Sequence, residues 1–172
     1  MVRIICLLTG YVFGLFQTGY LYGRMNHIDI RNYGSGNSGT TNALRVLGKK
    51  AGLIVFLGDF FKMVLACFLV RLVLGSDPNT DLYVLYTGLG VVLGHNFPCY
   101  LHFKGGKGIA SMAGLLISMD WRVAFVCGVV FLITVILTRY VSLGSIFVVI
   151  LFFIQMVFYE SRGVYQVAPD SR

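Results

Sequence analysis

Apolar residues in this 172-residue chain come in long runs, not at the period of 2 or 3.6 that marks a half-buried strand or an amphipathic helix. Runs of about 18 or more such residues are membrane spans, because in hydrocarbon each backbone amide and carbonyl must be satisfied inside the segment. The charge agrees: 12% of the residues are Asp, Glu, Lys or Arg, roughly half the share of a soluble domain. The pattern predicts an all-α, polytopic transmembrane helix bundle with helices over 2–22, 51–74, 82–98, 108–119, 122–138 and 141–159. The fourth is short and covers about 18 Å of a hydrocarbon core about 30 Å thick. Residues 1–172 are expected to form a single membrane domain, with 160–172 a frayed polar tail. A secretory signal would account for the first run alone, and no small-residue cleavage site follows it, so it counts as a helix. Cys6, Cys67, Cys99 and Cys127 show no CxxC spacing and read as small buried hydrophobes, with neither a disulfide framework nor a metal cluster.

The net charge of +7 would suggest nucleic acid in a soluble protein, but here it sits in short loops, where it sets orientation. Residues 23–50 hold Arg24, Arg31, Arg45, Lys49 and Lys50 against Asp29, whereas 76–81 holds Asp77 and Asp81 and no base. Lys104 and Lys107 follow the third helix, and Arg139 follows the fifth. An extracytoplasmic N-terminus then places 23–50, 101–107 and 139–145 together on the cytoplasmic face, at the expense of Arg122 lying outside.

These same segments carry the polar chemistry. Residues 34–45 read GSGNSGTTNALR. Gly34, Gly36 and Gly39 permit positive φ and close approach of a ligand, and successive amides in such a turn form an anion nest. Ser35, Ser38, Thr40, Thr41 and Asn42 add donors, and Arg45 offers a bidentate fork for phosphate. A helix starting near Thr41 would aim its N-terminal amides at the same anion. Residues 94–110, GHNFPCYLHFKGGKGIA, contain a second glycine turn with Lys107 placed to neutralise a phosphate. Lys104 either assists it or obeys the positive-inside bias. This turn is no Walker A loop, since GxxxxGK[ST] is absent, which argues against an ATPase. His95, at a helix end before a proline, reads as structural or catalytic.

In the third segment, 138–145, TRYVSLGS, Ser142 and Ser145 are three apart and can face one cavity; Ser142 equally suits an N-cap. Asp59 and Lys62, at i,i+3 in an apolar run, read as an ion pair bracing the bundle or a motif loop.

GSGNSGTTNALR, GHNFPCYLHFKGGKGIA and SLGS, in this order, together with GDFFKM at 58–63, resemble the motifs of the bacterial membrane acyl-phosphate:glycerol-3-phosphate acyltransferases, over about residues 1–150. The resemblance implies transfer of a fatty acyl group from acyl phosphate to the 1-hydroxyl of glycerol 3-phosphate. Lysophosphatidic acid and phosphate are released in this first step of phospholipid synthesis, at the cell inner membrane and without a cofactor. It implies catalytic roles for Ser35, Arg45, His95, Lys107 and Ser142. Phosphate binding would fall to Gly34, Gly36, Asn37, Gly39, Thr41, Asn42, Lys104, Gly105 and Gly106. The HxxxxD signature of the other large acyltransferase class is absent. Family members run on through another helix to a basic HRxN-type segment and a late glutamate, and this sequence has no His after His102 and no Asn after Asn96. The expectation is a chain truncated, shifted or shortened in its last part. Two other classes fit the residues: a non-catalytic or degenerate homologue that binds phosphorylated ligand, and a small anion transporter built on glycine-broken helices.

Overall fold

In a computed structural model, which describes residues 1–165, the chain is helical and the described part contains no strand. The helices are α1 (Val2–Gly14), α2 (Thr18–Met25), α3 (Thr40–Leu47), α4 (Lys49–Leu74), α5 (Thr80–Asn96), α6 (Ile109–Met119), α7 (Trp121–Thr138) and α8 (Val141–Ser161), with 3-10 turns at Ile30–Asn32 and Cys99–Leu101. Four helical stretches are long and apolar enough to cross a membrane: Val2–Met25, Lys49–Leu74, Trp121–Thr138 and Val141–Ser161. The expected polar tail keeps α8 to Ser161, and its residues 166–172 lie outside the described part.

The expected single helix 2–22 is instead two, α1 and α2, with the chain leaving helical geometry at Gln17, φ −98° and ψ 83°. Such a break at membrane depth exposes carbonyls that must find donors. Lys62 Nζ donates to Phe16 O at 2.7 Å, Tyr100 Oη to Leu15 O at 2.8 Å and Gln17 Nε2 to Gly14 O at 3.2 Å. The donors come from 46 and 85 residues away or from an amide that reads as one polar residue in a run, so hydropathy could not reveal the break.

α1 and α5 cross with their backbones touching. Gly10 and Gly14 on one helix meet Gly90 and Gly94 on the other. A Cβ at Gly10 would collide with Thr87 O, and one at Gly94 with Tyr11 O. This is the small-xxx-small solution for helices that gain no hydrophobic drive in lipid. Around the crossing, Cys6, Met63, Ala66, Cys67, Val84, Val91 and Leu115 form the main core. A second cluster, Leu116, Val123, Cys127 and Val148, joins α6 to α7 and α8.

α6 is short, as expected, and Asp120 alone separates it from α7. The Asp120 carboxylate caps α7 by accepting from Arg122 N at 2.8 Å and pairs with the Arg122 guanidinium at 2.8 Å. Arg122 is thus neutralised at that end of the bundle. Chain direction alternates from α4 through α8, so both glycine-rich loops and the α7–α8 turn fall at one end.

Candidate phosphate site between two glycine loops

The first loop is held from inside by Asn42, which is wholly buried. From the first turn of α3 its Oδ1 accepts from Ser35 N at 2.8 Å. Its Nδ2 donates to Ile30 O, Tyr33 O and Asn37 O at 3.1, 3.1 and 2.8 Å. Gly34 and Gly36 take φ of +60° and +74°, the left-handed region that lets the loop close on this amide. Asn37 finishes the turn, its Oδ1 accepting from Gly39 N at 2.9 Å and its Nδ2 donating to Ser35 Oγ at 2.9 Å. A helix does begin beside Thr41, with Gly39 as the residue before its first turn.

The second loop folds back on the end of α5. Gly105 N donates to Asn96 O and Gly106 N to His95 O, each at 3.1 Å. The fit is tight: a Cβ at Gly105 would strike His95 O, and one at Gly106 would strike the His95 ring at Nε2. The two loops abut, since a Cβ on Gly39 would lie 3.9 Å from both Gly106 Cα and Lys107 N. The N-terminus of α3 therefore meets the turn that opens α6. Two sets of unpaired helix amides, with their positive dipole ends, converge there. Ser35, Thr41, Arg45, Lys104 and Lys107 are exposed around this junction, and Arg45 sits one turn beyond Thr41 on α3. Among the described residues, Arg45, Lys104 and Lys107 pair with no carboxylate; the nearby Asp29 belongs to Arg31.

Arg31 clamps the loops together. Its guanidinium donates to Leu101 O at 3.1 Å and Lys104 O at 3.4 Å, forms a bidentate pair with Asp29 at 2.9 and 2.6 Å, and lies 5.0 Å from the Tyr20 ring centre. The Arg31 hydrogen bonds hold the Asp29 carboxyl below the usual carboxylate range. In the sequence Arg31 reads only as one more positive charge, because the loop carbonyls it clamps lie some seventy residues away.

Behind the loops lies a buried polar network. Gln17, fully buried, donates to His95 O at 2.9 Å and accepts from Ser38 Oγ at 3.0 Å, so one amide ties both loops to the α1–α2 break. Asp59 and Lys62 do pair, at 2.9 Å. Lys62 also reaches His95 Nδ1 at 2.8 Å, so the brace expected from their spacing ends on a motif residue.

Asn42 shapes the loop from within, every polar atom of its side chain being hydrogen-bonded inside it. Ser142 lies at the α7–α8 turn, at the same end of the bundle as the loops. It is exposed at the start of α8, while Gly144 packs on Phe131 and Val135 of α7 and Ser145 Oγ returns to Val141 O at 2.8 Å. The two serines thus do not share a cavity among the described residues, because helix packing turns one outward and one inward.

A family model described as glycerol-3-phosphate acyltransferase matches residues 4–168. A glycerol-3-phosphate acyltransferase of Prochlorococcus marinus is 42% identical over 145 residues, covering 84% of this chain and 71% of that protein. The glycerol-3-phosphate acyltransferase 2 of Lactobacillus acidophilus is 44% identical over 151 residues, covering 87% and 70%. In three dimensions the chain is similar to PlsY, an integral membrane glycerol 3-phosphate acyltransferase, in its glycerol 3-phosphate form. There the TM-score is 0.82 at 35% identity, over 97% of this chain and 80% of that one. The lysophosphatidic acid form of PlsY gives 0.79 at 33% identity, over 96% and 79%.

Proposed function

This chain belongs to the glycerol-3-phosphate acyltransferase family and is an integral membrane acyltransferase; we propose that its donor is an acyl phosphate and that the two abutting glycine loops hold the phosphates of donor and acceptor on the cytoplasmic face. The observation that carries this reading is the meeting of the two loops, where Ser38 N donates to Gly105 O at 3.5 Å and a Cβ on Gly39 would reach Gly106 and Lys107 N, with Arg45, Lys104 and Lys107, which pair with no carboxylate among the described residues, around it. Two phosphorylated substrates require two anion-binding features side by side, and converging helix N-termini with lysine and arginine supply them.

The chemistry asks little more of the protein. Acyl phosphate is a mixed anhydride. The 1-hydroxyl of glycerol 3-phosphate attacks its carbonyl carbon, the acyl C–O bond to phosphate breaks, and the hydroxyl proton passes to a phosphate oxygen. Positioning and neutralisation of the leaving phosphate by Lys107 and Arg45 then dominate the rate. An apolar groove of about 800 Å³ between α1 and α4, lined by Val12, Phe16, Gly58, Phe61, Leu65 and Phe68 among others, suits the fatty acyl chain.

The test is direct. Purified protein incubated with palmitoyl phosphate and glycerol 3-phosphate should yield lysophosphatidic acid and one phosphate per turnover. Palmitoyl-CoA in place of palmitoyl phosphate should yield none. Product from the thioester alone would overturn the donor assignment.

A further inference from the structure

His95 lies beside a carboxylate without being controlled by it. Its Nδ1 is 3.6 Å from Asp59 Oδ1, close to the arrangement in which a buried Asp holds the proton on Nδ1 and leaves Nε2 bare as a general base. Lys62 intervenes. Its Nζ meets three acceptors, Phe16 O at 2.7 Å, Asp59 Oδ1 at 2.9 Å and His95 Nδ1 at 2.8 Å, which matches the three N–H groups of an ammonium. A carbonyl and a carboxylate can only accept. A neutral amine would leave the 1% exposed Asp59 charge uncompensated. Thr18 Oγ1 adds a further donor to the same Asp59 oxygen at 3.1 Å. Nδ1 therefore accepts from Lys62, and the ring proton resides on Nε2, which faces Gly106 and has no hydrogen-bond partner among the described residues.

Resting on the phosphate-site reading above, we propose that Lys62 is a positioning residue which overrides the pull of Asp59, fixes His95 in the Nε2–H tautomer and so makes it a hydrogen-bond donor to a substrate phosphate at the Gly106 turn. Asp59 is needed to keep Lys62 charged, not to activate the imidazole. His95 is then no general base in the resting enzyme, which agrees with a proton passing to phosphate.

Replacing lysine alone exposes the opposite logic. In Lys62→Met, Asp59 is left facing Nδ1 and draws the ring proton there, so a bare Nε2 lone pair faces the phosphate. The double variant Asp59→Leu, Lys62→Met removes that pull. The readout is the protonation of the two ring nitrogens in histidine-15N-labelled protein, with the His95 signals identified by their loss in His95→Asn.

The wild type should show Nε2 protonated and Nδ1 bare, and glycerol 3-phosphate should move the Nε2 resonance. Lys62→Met should reverse the two nitrogens and lower kcat/KM roughly a hundredfold, the scale of losing one preorganised oxyanion donor. The double variant should return Nε2 protonation and recover about tenfold of that loss. A merely structural brace predicts the reverse order, with the double variant worse than the single. Nδ1 protonation in the wild type, an Nε2 signal unmoved by glycerol 3-phosphate, or a double variant worse than Lys62→Met each overturns the proposal. The wild-type tautomer requires neither Lys62 variant to fold, only the His95→Asn control that assigns the signals. The tautomer is read without turnover, so failure of the acyl-phosphate assignment shows separately, as a correct tautomer in a protein that transfers no acyl group from palmitoyl phosphate.

Discussion

Gly36 and Gly106 occupy the two glycine loops proposed to hold phosphate, yet replacing them tests different things. Gly36 has φ +74° and a Cβ there would meet only Arg31 O, at 3.6 Å. Gly36→Ala therefore carries the conformational penalty alone, about 1–2 kcal/mol, read as a modest loss in thermal unfolding with most activity kept. At Gly106 the obstacle is the buried His95 ring itself. Gly106→Ala must displace the ring or the turn by about 1 Å, a scale that costs roughly a hundredfold in kcat/KM. Arg45→Ala removes a fork and not a scaffold, so it should raise KM for a phosphorylated substrate about tenfold or more with little change in unfolding temperature. Lys107→Ala should be more damaging than Lys104→Ala, since Lys107 starts its side chain beside the N-terminus of α3, its own N lying 3.9 Å from where a Gly39 Cβ would be; equal mild effects would reduce the GGKG turn to a connector. The Asp29 carboxyl adds a pH signature. Because its folded pKa is depressed, its contribution to stability is complete above the ordinary aspartate value of about 3.9. It is lost as pH falls from there through the lowered value. Asp29→Asn should remove that part of the acid dependence in unfolding scans.

Among the elements, the α1–α2 break and the α1–α5 crossing decide where the site stands. Gln17 serves Gly14 O, Gly94 O, His95 O and Ser38 Oγ with one buried amide. Gln17→Leu strips these partners of it and should cost about 1–3 kcal/mol per group left unpaired, visible in detergent unfolding together with lost activity. The crossing makes a sharper contrast. Gly94→Ala forces a methyl into Tyr11 O and should lower the unfolding temperature, whereas a Cβ at Gly128 meets nothing within 4 Å. Gly128→Ala in α7 should be neutral or stabilising, as expected where alanine simply favours helix. Much of the element order was legible from apolar runs, and the boundaries of α4 to α8 fall within two residues of the expected ones. The α1–α2 break and the Arg31 clamp were not legible, because each depends on donors and acceptors distant in the chain that hydropathy averages away.

For the molecule as a whole, the chain carries its own probe of orientation. Cys99 is exposed at the loop end, while Cys6, Cys67 and Cys127 are buried. A membrane-impermeant maleimide should spare Cys99 in intact cells and label it after permeabilisation; labelling in intact cells would reverse the topology and place the phosphate site outside. The apolar runs and the loop charges come directly from local composition, and so do the helical class, the membrane setting and the gathering of basic, glycine-rich loops at one end. Likewise, the residue types of GSGNSGTTNALR and FKGGKG by themselves suggest the anion site proposed above, since glycine amides, hydroxyls and bases are the groups that bind phosphate. Which of those residues face outward, and which are spent as scaffolding, depended on packing. Asn42 was drawn inside its loop, and Arg31, Gln17 and Lys62 were recruited from segments that look unrelated to the motifs. The reason is geometric: a side chain's hydrogen-bonding groups act over about 3 Å, and only the crossing of α1, α4 and α5 brings residues 17, 62 and 95 within that distance.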